Sequence, residues 1–167
     1  QQVINPLLFG FKAKDTTRPT IKNLHIYPLN RQAVINGKHD TLRISVRKFS
    51  ESKYIIDENP IVVDGLIGFG IDAFDQLDNA PNKNGVYSIE FYLDSILIYK
   101  HDMESFYFSE TRYINSLMDY HAKKNYGLKP QKSFKDPNNN LSLYKTIVDD
   151  GRIMFESIAS HYAEYVI

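Results

Sequence analysis

The sequence contains no cysteine, and this absence excludes several classes of chemistry. Without cysteine the chain has no disulfide scaffold, no thiol nucleophile and no cysteine-ligated metal. Its 20 basic side chains are balanced by 20 acidic ones, and nucleic acids and anionic membranes are held by surfaces with a basic surplus. No apolar run approaches the roughly 20 residues of a spanning helix. We therefore expect no nucleic-acid partner and no membrane span.

The chain is long enough for one ordinary domain. It has 167 residues, of which 43% are hydrophobic and 13% aromatic, with 10 Phe, 12 Tyr and no Trp. A domain of this size buries roughly 70% of its unfolded surface, so a core forms without disulfides or a structural metal. The first residue is Gln1 rather than Met, and the last nine residues read as a strand with no closing turn. We therefore expect a piece of a longer protein that is truncated at its C-terminus.

Most of the chain has the period-two pattern of strands. Apolar and polar residues alternate over three segments, residues 42–47, 67–73 and 87–94, and the run 96–99 reads as a return strand after the last of them. Four dipeptides typical of tight turns punctuate the sequence: Asn36-Gly37, Asp64-Gly65, Asn84-Gly85 and Asp150-Gly151. The pattern predicts a mainly β protein arranged as a β-sandwich.

One segment has helical spacing instead. Between about residues 109 and 126, apolar residues recur every three or four positions, at Ile114, Leu117, Met118 and Ala122, with His121 on or beside this stripe. Ser109 suits the N-cap, and Gly127 suits the end. We expect a single helix of about four turns. It lies in a helix-and-loop insertion spanning about residues 105–140, and we expect His121 to be packed or hydrogen-bonded.

Catalytic and cofactor motifs are weak. No two of the five histidines stand at the i, i+2 or i, i+4 spacing of a shared metal, and His101 and Asp102 are neighbours that a strand would point to opposite faces. The stretch Gly68-Phe-Gly-Ile-Asp-Ala73 matches a dinucleotide fingerprint in letters. Strand alternation continues through it and no helix follows, so we interpret it as a strand with a closely approaching backbone.

Two binding alternatives remain open. Asp72, Asp75 and Asp78, with nearby asparagines, are oxygen ligands of the kind calcium prefers, although their spacing is not that of an EF-hand and turns often have this composition. Aromatic side chains exposed on a sheet can stack on sugar rings, although most aromatics in sheets belong to the core. The first alternative is a calcium site, and the second is a glycan-binding surface.

Four segments resemble a known family. They are Ile4-Asn-Pro-Leu-Leu-Phe-Gly-Phe11 with the residues up to Ile21, then Gly68-Phe-Gly-Ile-Asp-Ala-Phe-Asp75, Gly85-Val-Tyr-Ser-Ile-Glu-Phe91 and Phe108-Ser-Glu-Thr-Arg-Tyr-Ile-Asn115. These segments resemble the region that follows the catalytic domain in certain LytM-type (lysostaphin-like) zinc metallopeptidases of Gram-negative envelopes. In those proteins an H-x-H strand precedes an Asn-Pro-Leu stretch and then a β-sandwich.

The resemblance implies a role without catalysis for this segment. The peptidase motifs H-x-x-x-D and H-x-H do not occur in the sequence, so no catalytic or zinc-binding residue is assigned here. The implied whole protein is a zinc metalloendopeptidase that cuts peptidoglycan in the periplasm, with its zinc in an upstream domain. Residues 1–18 are then the connector from that domain, and residues 19–167 are the accessory domain.

The expected fold is thus a mainly β, immunoglobulin-like β-sandwich with one helical insertion. The expected function is that of a spacer or docking domain in the cell envelope, and the alternative is a module that binds glycan or an outer-membrane protein through exposed aromatics. Expected partners are the upstream peptidase domain in cis and, beyond it, peptidoglycan or an outer-membrane protein complex. The helix surface offered to a partner comprises Arg112, Asn115, Asp119, Lys123 and Lys124.

Overall fold

Short strands account for most of the secondary structure, which confirms the mainly β prediction. The computed structural model describes residues 2–4, 9–10, 15–57, 60–156 and 160–167. In chain order the strands are β1 (Gln2–Ile4), β2 (Thr20–Pro28), β3 (Val34–Ile35), β4 (Leu42–Ser45), β5 (Arg47–Ser50), β6 (Lys53–Ile55), β7 (Val63–Phe74), β8 (Ser88–Leu93), β9 (Ile96–Asp102), β10 (Ser105–Tyr107), β11 (Gln131–Lys132), β12 (Tyr144–Ile147), β13 (Ile153–Phe155) and β14 (Ala163–Val166).

The first sheet is organised around β7, the longest strand described. Its main path runs β11-β7-β2-β4, and β3 and β13 also pair with β7. All of these pairings are antiparallel. In the β2–β7 register His25 lies opposite Gly70 and Tyr27 lies opposite Gly68. One face of β7 therefore carries large apolar side chains, and the other has room for rings from β2.

The second sheet has the order β12-β9-β8-β14. Strands β8 and β9 form the predicted hairpin, with Asp94 and Ser95 in the turn at φ 50° and 67°. Two further antiparallel pairs stand apart from the main sheets: β5 with β6, and β1 with β10. Residues 1, 5–8 and 11–14 of the predicted connector, and Ala159 of the predicted final strand, lie outside the described residues.

The two main sheets share one apolar core. Ile26, Ile67 and Phe69 of the first sheet belong to the same buried cluster as Phe91 and Tyr99 of the second. The rings of Phe69 and Phe91 stack with their centroids 4.8 Å apart. Burying a side chain of this kind contributes about 1.5–3 kcal/mol, so the shared cluster stabilises the packing of the two sheets.

The predicted single helix is two helices. The chain passes through a 3-10 turn at Phe108–Glu110, then α1 (Thr111–Leu117) and α2 (Tyr120–Tyr126). Met118 between them is extended, with φ −100° and ψ 143°, so the expected continuous helix from 109 to 126 is wrong. Ser109 lies inside the 3-10 turn instead of capping a helix. Gly127, with φ 67°, ends α2 as predicted.

The turn dipeptides behave differently from one another. Asn36-Gly37 forms the predicted tight turn, with φ 50° and 75°. The sequence predicts a turn at Asp64-Gly65, but both residues lie inside β7. Gly65 has φ 83°, and a Cβ there would come within 2.8 Å of the Ala33 backbone. Glycine is therefore required at position 65 by a close approach within the sheet.

The glycines of the false dinucleotide motif confirm the strand interpretation. A Cβ on Gly68 would lie 2.6 Å from the ring of Phe134, and one on Gly70 would lie 2.7 Å from the carbonyl oxygen of Gln131. Both glycines lie within β7, where neighbouring groups pack directly on the backbone. In the part of the chain that is described, no helix has the length and hydrophobicity to cross a bilayer.

Candidate functional site

The insertion, residues 105–140, is attached to the first sheet by backbone and side-chain contacts. β11 pairs with β7, and the Ser133 N–H donates to the Phe69 carbonyl of β7 at 2.8 Å. Leu117 of α1 and Ala122 of α2 are buried, as predicted, whereas Ile114 and Met118 are half-buried. His121 is exposed, and its ring contacts the Tyr126 ring edge-on with the centroids 6.1 Å apart, so it does not join Leu117 and Ala122 in the buried layer. Because the extended Met118 separates α2 from α1, His121 does not continue the apolar stripe of α1.

The predicted partner surface is divided between the two helices. Arg112 and Asn115 are exposed on α1, and Lys123 and Lys124 are exposed on α2. Asp119 is half-buried, and its carboxylate accepts a hydrogen bond from the Ala122 N–H at 2.9 Å, which caps α2. The structure therefore offers four of the five residues to a partner and uses the fifth inside the fold.

A layer of polar side chains lies between the sheet and the insertion. It consists of His25, Tyr27, Arg43 and Asp72, with His25 fully buried. The Arg43 guanidinium lies over the Tyr126 ring at 3.9 Å, and the Tyr27 ring contacts the Phe134 ring edge-on. Burial lowers the pKa of His25, although the nearby Asp72 acts in the opposite direction. This polar layer, which we did not predict, holds a neutral imidazole at neutral pH.

His101 also has a structural position. It is completely buried, and its Nδ1 lies 3.0 Å from the Tyr99 hydroxyl. Burial lowers its pKa to about 4. Asp102 points away from it, as predicted for strand neighbours, and its carboxylate lies 3.4 Å from the Lys145 ammonium. This geometry does not form a base and an orienting carboxylate.

The acidic residues considered for calcium occupy three different environments. Asp72 is buried in β7, and Asp75 pairs through its backbone with Asn84. Asp78 accepts four hydrogen bonds of 2.8–3.0 Å from the backbone N–H and hydroxyl groups of Thr16 and Thr17. These bonds lower the pKa of Asp78 to about 2. Among the described residues, no group of three or more His, Asp or Glu side chains could hold a metal ion.

Several aromatic side chains are exposed, as the glycan-binding alternative requires. Two of them, Tyr107 and Phe108, are sequence neighbours at the start of the insertion, and two more lie on α2. In the part of the chain that the structure describes, the exposed aromatic residues are Phe9, Phe49, Tyr87, Tyr107, Phe108, Tyr120, Tyr126 and Tyr162. Tyr126 is already covered on one face by Arg43. The largest exposed group is therefore at the insertion.

A concave feature lies elsewhere, between the β5–β6 pair and β14. This cavity, the edge groove, has a volume of about 670 Å³, within the usual size range of ligand pockets. Its floor is formed by Ile21, Leu24 and Ile71 from the first sheet. Its lining combines backbone hydrogen-bonding groups with apolar side chains, and such a lining is suited to bind a ligand. Sequence patterns do not reveal it because its walls come from segments far apart in the chain.

Comparisons of this chain with protein-family models, with curated proteins and with solved structures find no match.

Proposed function

We propose that this chain is a non-catalytic accessory domain of a cell-envelope peptidoglycan metallopeptidase, where it acts as a spacer and a docking surface. Zinc belongs to the upstream domain in this proposal, and the protein works in the periplasm. The observation that carries the proposal is the helical insertion, a pair of helices, the second capped by Asp119, that is docked on the sheet and presents exposed polar side chains. Such a rigid, solvated surface is suited to hold a neighbouring domain.

The resemblance to LytM-type proteins supports this proposal from the sequence side. Three of its four segments fall in described parts of the fold: residues 68–74 are the second half of β7, residues 85–91 lead into β8, and residues 108–115 lie near the start of the insertion. We further propose that the two main sheets are arranged as an immunoglobulin-like β-sandwich. The stacking of Phe69 on Phe91 between the sheets supports that arrangement.

The docking surface that we propose consists of Arg112, Asn115, Lys123 and Lys124. All four are exposed, and three of them are cationic, so the surface suits an acidic patch on the peptidase domain or on an envelope protein. The alternative function is binding of glycan or an outer-membrane protein through exposed aromatics. The neighbouring Tyr107 and Phe108, each more than half exposed, favour it.

The decisive experiment extends the protein upstream of Gln1. We expect the coding sequence to place an H-x-H motif within about a dozen residues before it, and the extended protein to bind zinc and cleave peptidoglycan. An amine-reactive crosslinker should then join Lys123 or Lys124 to the upstream domain, whereas the exposed Lys38 serves as the control. An upstream sequence without the zinc motifs would overturn the proposal.

The aromatic alternative is tested separately. Changing Tyr107 and Phe108 together to alanine should reduce pull-down of the chain by insoluble peptidoglycan if aromatics bind the glycan. Under the docking proposal, that double change leaves the crosslink from Lys123 or Lys124 intact.

A further inference from the structure

Two strand edges lie along the walls of the edge groove. Among the described strands, β14 pairs only with β8, and β6 pairs only with β5. Each strand therefore has one edge that is not covered by another strand. Edges of this kind carry unpaired N–H and C=O groups and are templates for an added strand.

The residues that line the groove indicate that it lies against the backbone edges of β14 and β6 and not against their side-chain faces. Residues 162–167 line one wall without a gap, and residues 51–56 line the other. A cavity against the face of a strand is lined by alternate residues, because successive side chains point to opposite sides. Consecutive lining therefore places the backbone edge of each strand at the groove.

The ladder identifies which backbone groups of β14 are free. The Asp94 N–H donates to the Tyr162 carbonyl at 2.7 Å, so the backbone groups of Tyr162 face β8 at the point where the antiparallel ladder of β8 and β14 begins. Bonded and non-bonded pairs alternate along such a ladder, and the register continues without a shift through Glu164 opposite Tyr92. The N–H and C=O groups of Ala163 and Tyr165 therefore point away from β8 and towards the groove.

Strand β14 is held in place before any partner arrives. The Asp94 carboxylate accepts the Tyr162 N–H at 2.8 Å and lies 2.6 Å from the His161 ring nitrogen. At the other end of the strand, the Tyr165 hydroxyl donates to Ser133 at 2.9 Å. An edge that is already ordered loses little conformational entropy when a ligand binds.

The floor and rim define the chemistry of the occupant. Ile21, Leu24 and Ile71 form an apolar floor, which suits apolar side chains at every second position of an extended segment. At the rim, Arg18 and Lys53 balance Glu51 and Glu164. A balanced rim favours an occupant with little net charge.

We infer that the edge groove binds an extended, weakly charged peptide segment of a partner protein, which adds as a strand to β14. The main chain of the peptide pairs with the Ala163 and Tyr165 backbone, and its alternate apolar side chains lie over the floor. The negative charge of Glu164 on this edge opposes pairing between two copies of the chain. This inference goes beyond the accessory-domain role and does not rest on it, since it concerns the isolated chain.

A synthetic peptide tests the inference directly. The probe is a labelled, end-capped peptide of about eight residues in which valine alternates with threonine, which spans about 26 Å when extended. We expect saturable binding by fluorescence polarisation. In amide hydrogen exchange, the peptide should slow Ala163 and Tyr165 about tenfold, whereas Glu164 and Val166, already bonded to β8, should change little.

Two controls separate strand addition from other contacts. Ala163→Pro removes one outward donor from an edge strand, where proline is tolerated, and should weaken binding about tenfold, while Ala163→Ser keeps the donor and should bind as the parent does. If Ala163→Pro does not fold, an N-methylated version of the peptide removes the same class of bonds and should bind the parent chain about tenfold more weakly.

Three results would overturn the inference. The first is no saturable binding of the peptide by the parent chain. The second is equal binding of the peptide and its N-methylated version. The third is sedimentation of the chain as a dimer whose self-association, and not a peptide, protects Ala163 and Tyr165 from exchange.

Discussion

The Asp119 carboxylate accepts a hydrogen bond from the Ala122 N–H at 2.9 Å and starts a second helix directly after the first has ended. The N-cap forms because Asp119 is extended, with ψ 96°, and Asp is among the best N-cap residues. The helical pattern of the sequence places Asp119 on the outer face of a single helix, whereas in the structure it is the N-cap of the second one.

The cap should be measurable as stability. Asp119→Ala should lower the free energy of unfolding by about 1 kcal/mol, because the Ala122 N–H loses its partner. Asp119→Asn is the matched control, since asparagine caps helices about as well, and it should stay close to the parent. Urea denaturation followed by circular dichroism gives both values, and equal midpoints for the alanine and asparagine variants would show that the cap contributes nothing.

The docking of the insertion should depend on Leu117. This side chain is only 3% exposed, so Leu117→Asp places an unpaired charge in a packed interface and should cost several kcal/mol. Arg112→Ala on the exposed side of the same helix should remain within about 0.5 kcal/mol. Thermal melts distinguish the two. A melt of Leu117→Asp that matches the parent would mean that the helices do not need the sheet.

Acid should destabilise the protein through its buried histidines. The pKa of His101 falls to about 4 on folding from a usual value near 6.5, because burial disfavours the charged ring. Between pH 6.5 and pH 4 the unfolded chain therefore binds a proton at His101 more readily than the folded chain does. The contribution of His101 to the free energy of unfolding is complete above pH 6.5 and decreases towards pH 4. The loss from His101 alone is about 3 kcal/mol at pH 4. His25 acts in the same direction.

Urea midpoints between pH 8 and pH 4 measure this effect, and NMR titration of the His101 ring reports its pKa directly. His101→Gln removes one of the two titrating groups and should make the pH profile shallower over the same range, with the contribution of His25 remaining. A midpoint that is constant between pH 7 and pH 4.5 in the parent would contradict the burial argument.

Asp78 should anchor the segment before β2. Its carboxylate is saturated by Thr16 and Thr17, so Asp78→Ala should expose residues 15–19 to protease and accelerate exchange of the Thr16 and Thr17 amides. Asp75→Ala is the control, because Asp75 bonds to Asn84 only through its backbone. Calcium should not raise the melting temperature of the parent. A rise with the logarithm of calcium concentration that Asp78→Ala abolishes would establish a calcium site.

The isolated chain should neither bind zinc tightly nor hydrolyse peptidoglycan. Its histidines lack ligand spacing, and each of the two buried ones is engaged in packing within a separate sheet. Metal analysis of the purified chain and a peptidoglycan digestion assay with and without chelator test this expectation. Stoichiometric zinc together with chelator-sensitive cleavage would reverse it.

Local patterns in the sequence determined the strands and several turns. The alternation over residues 87–94, followed by Ile96-Leu97-Ile98-Tyr99, predicted the β8–β9 hairpin because side-chain period and turn geometry are properties of neighbouring residues. The same is true of the tight turn at Asn36-Gly37 and of the helix end at Gly127. It also explains why the glycines of the apparent dinucleotide motif could be assigned to a strand.

Only the tertiary structure decided the features that depend on distant neighbours. Asp64-Gly65 has the letters of a turn, but Ala33 packs against its backbone and β7 continues through it. In the sequence, nothing distinguishes His25 from other strand residues. In the structure, Gly70 lies opposite it and the insertion covers it, so His25 is buried. The edge groove requires β6 and β14 to meet across the first sheet. Long-range packing outweighs the small free energies of local propensity, and so it sets burial, pKa and binding surfaces.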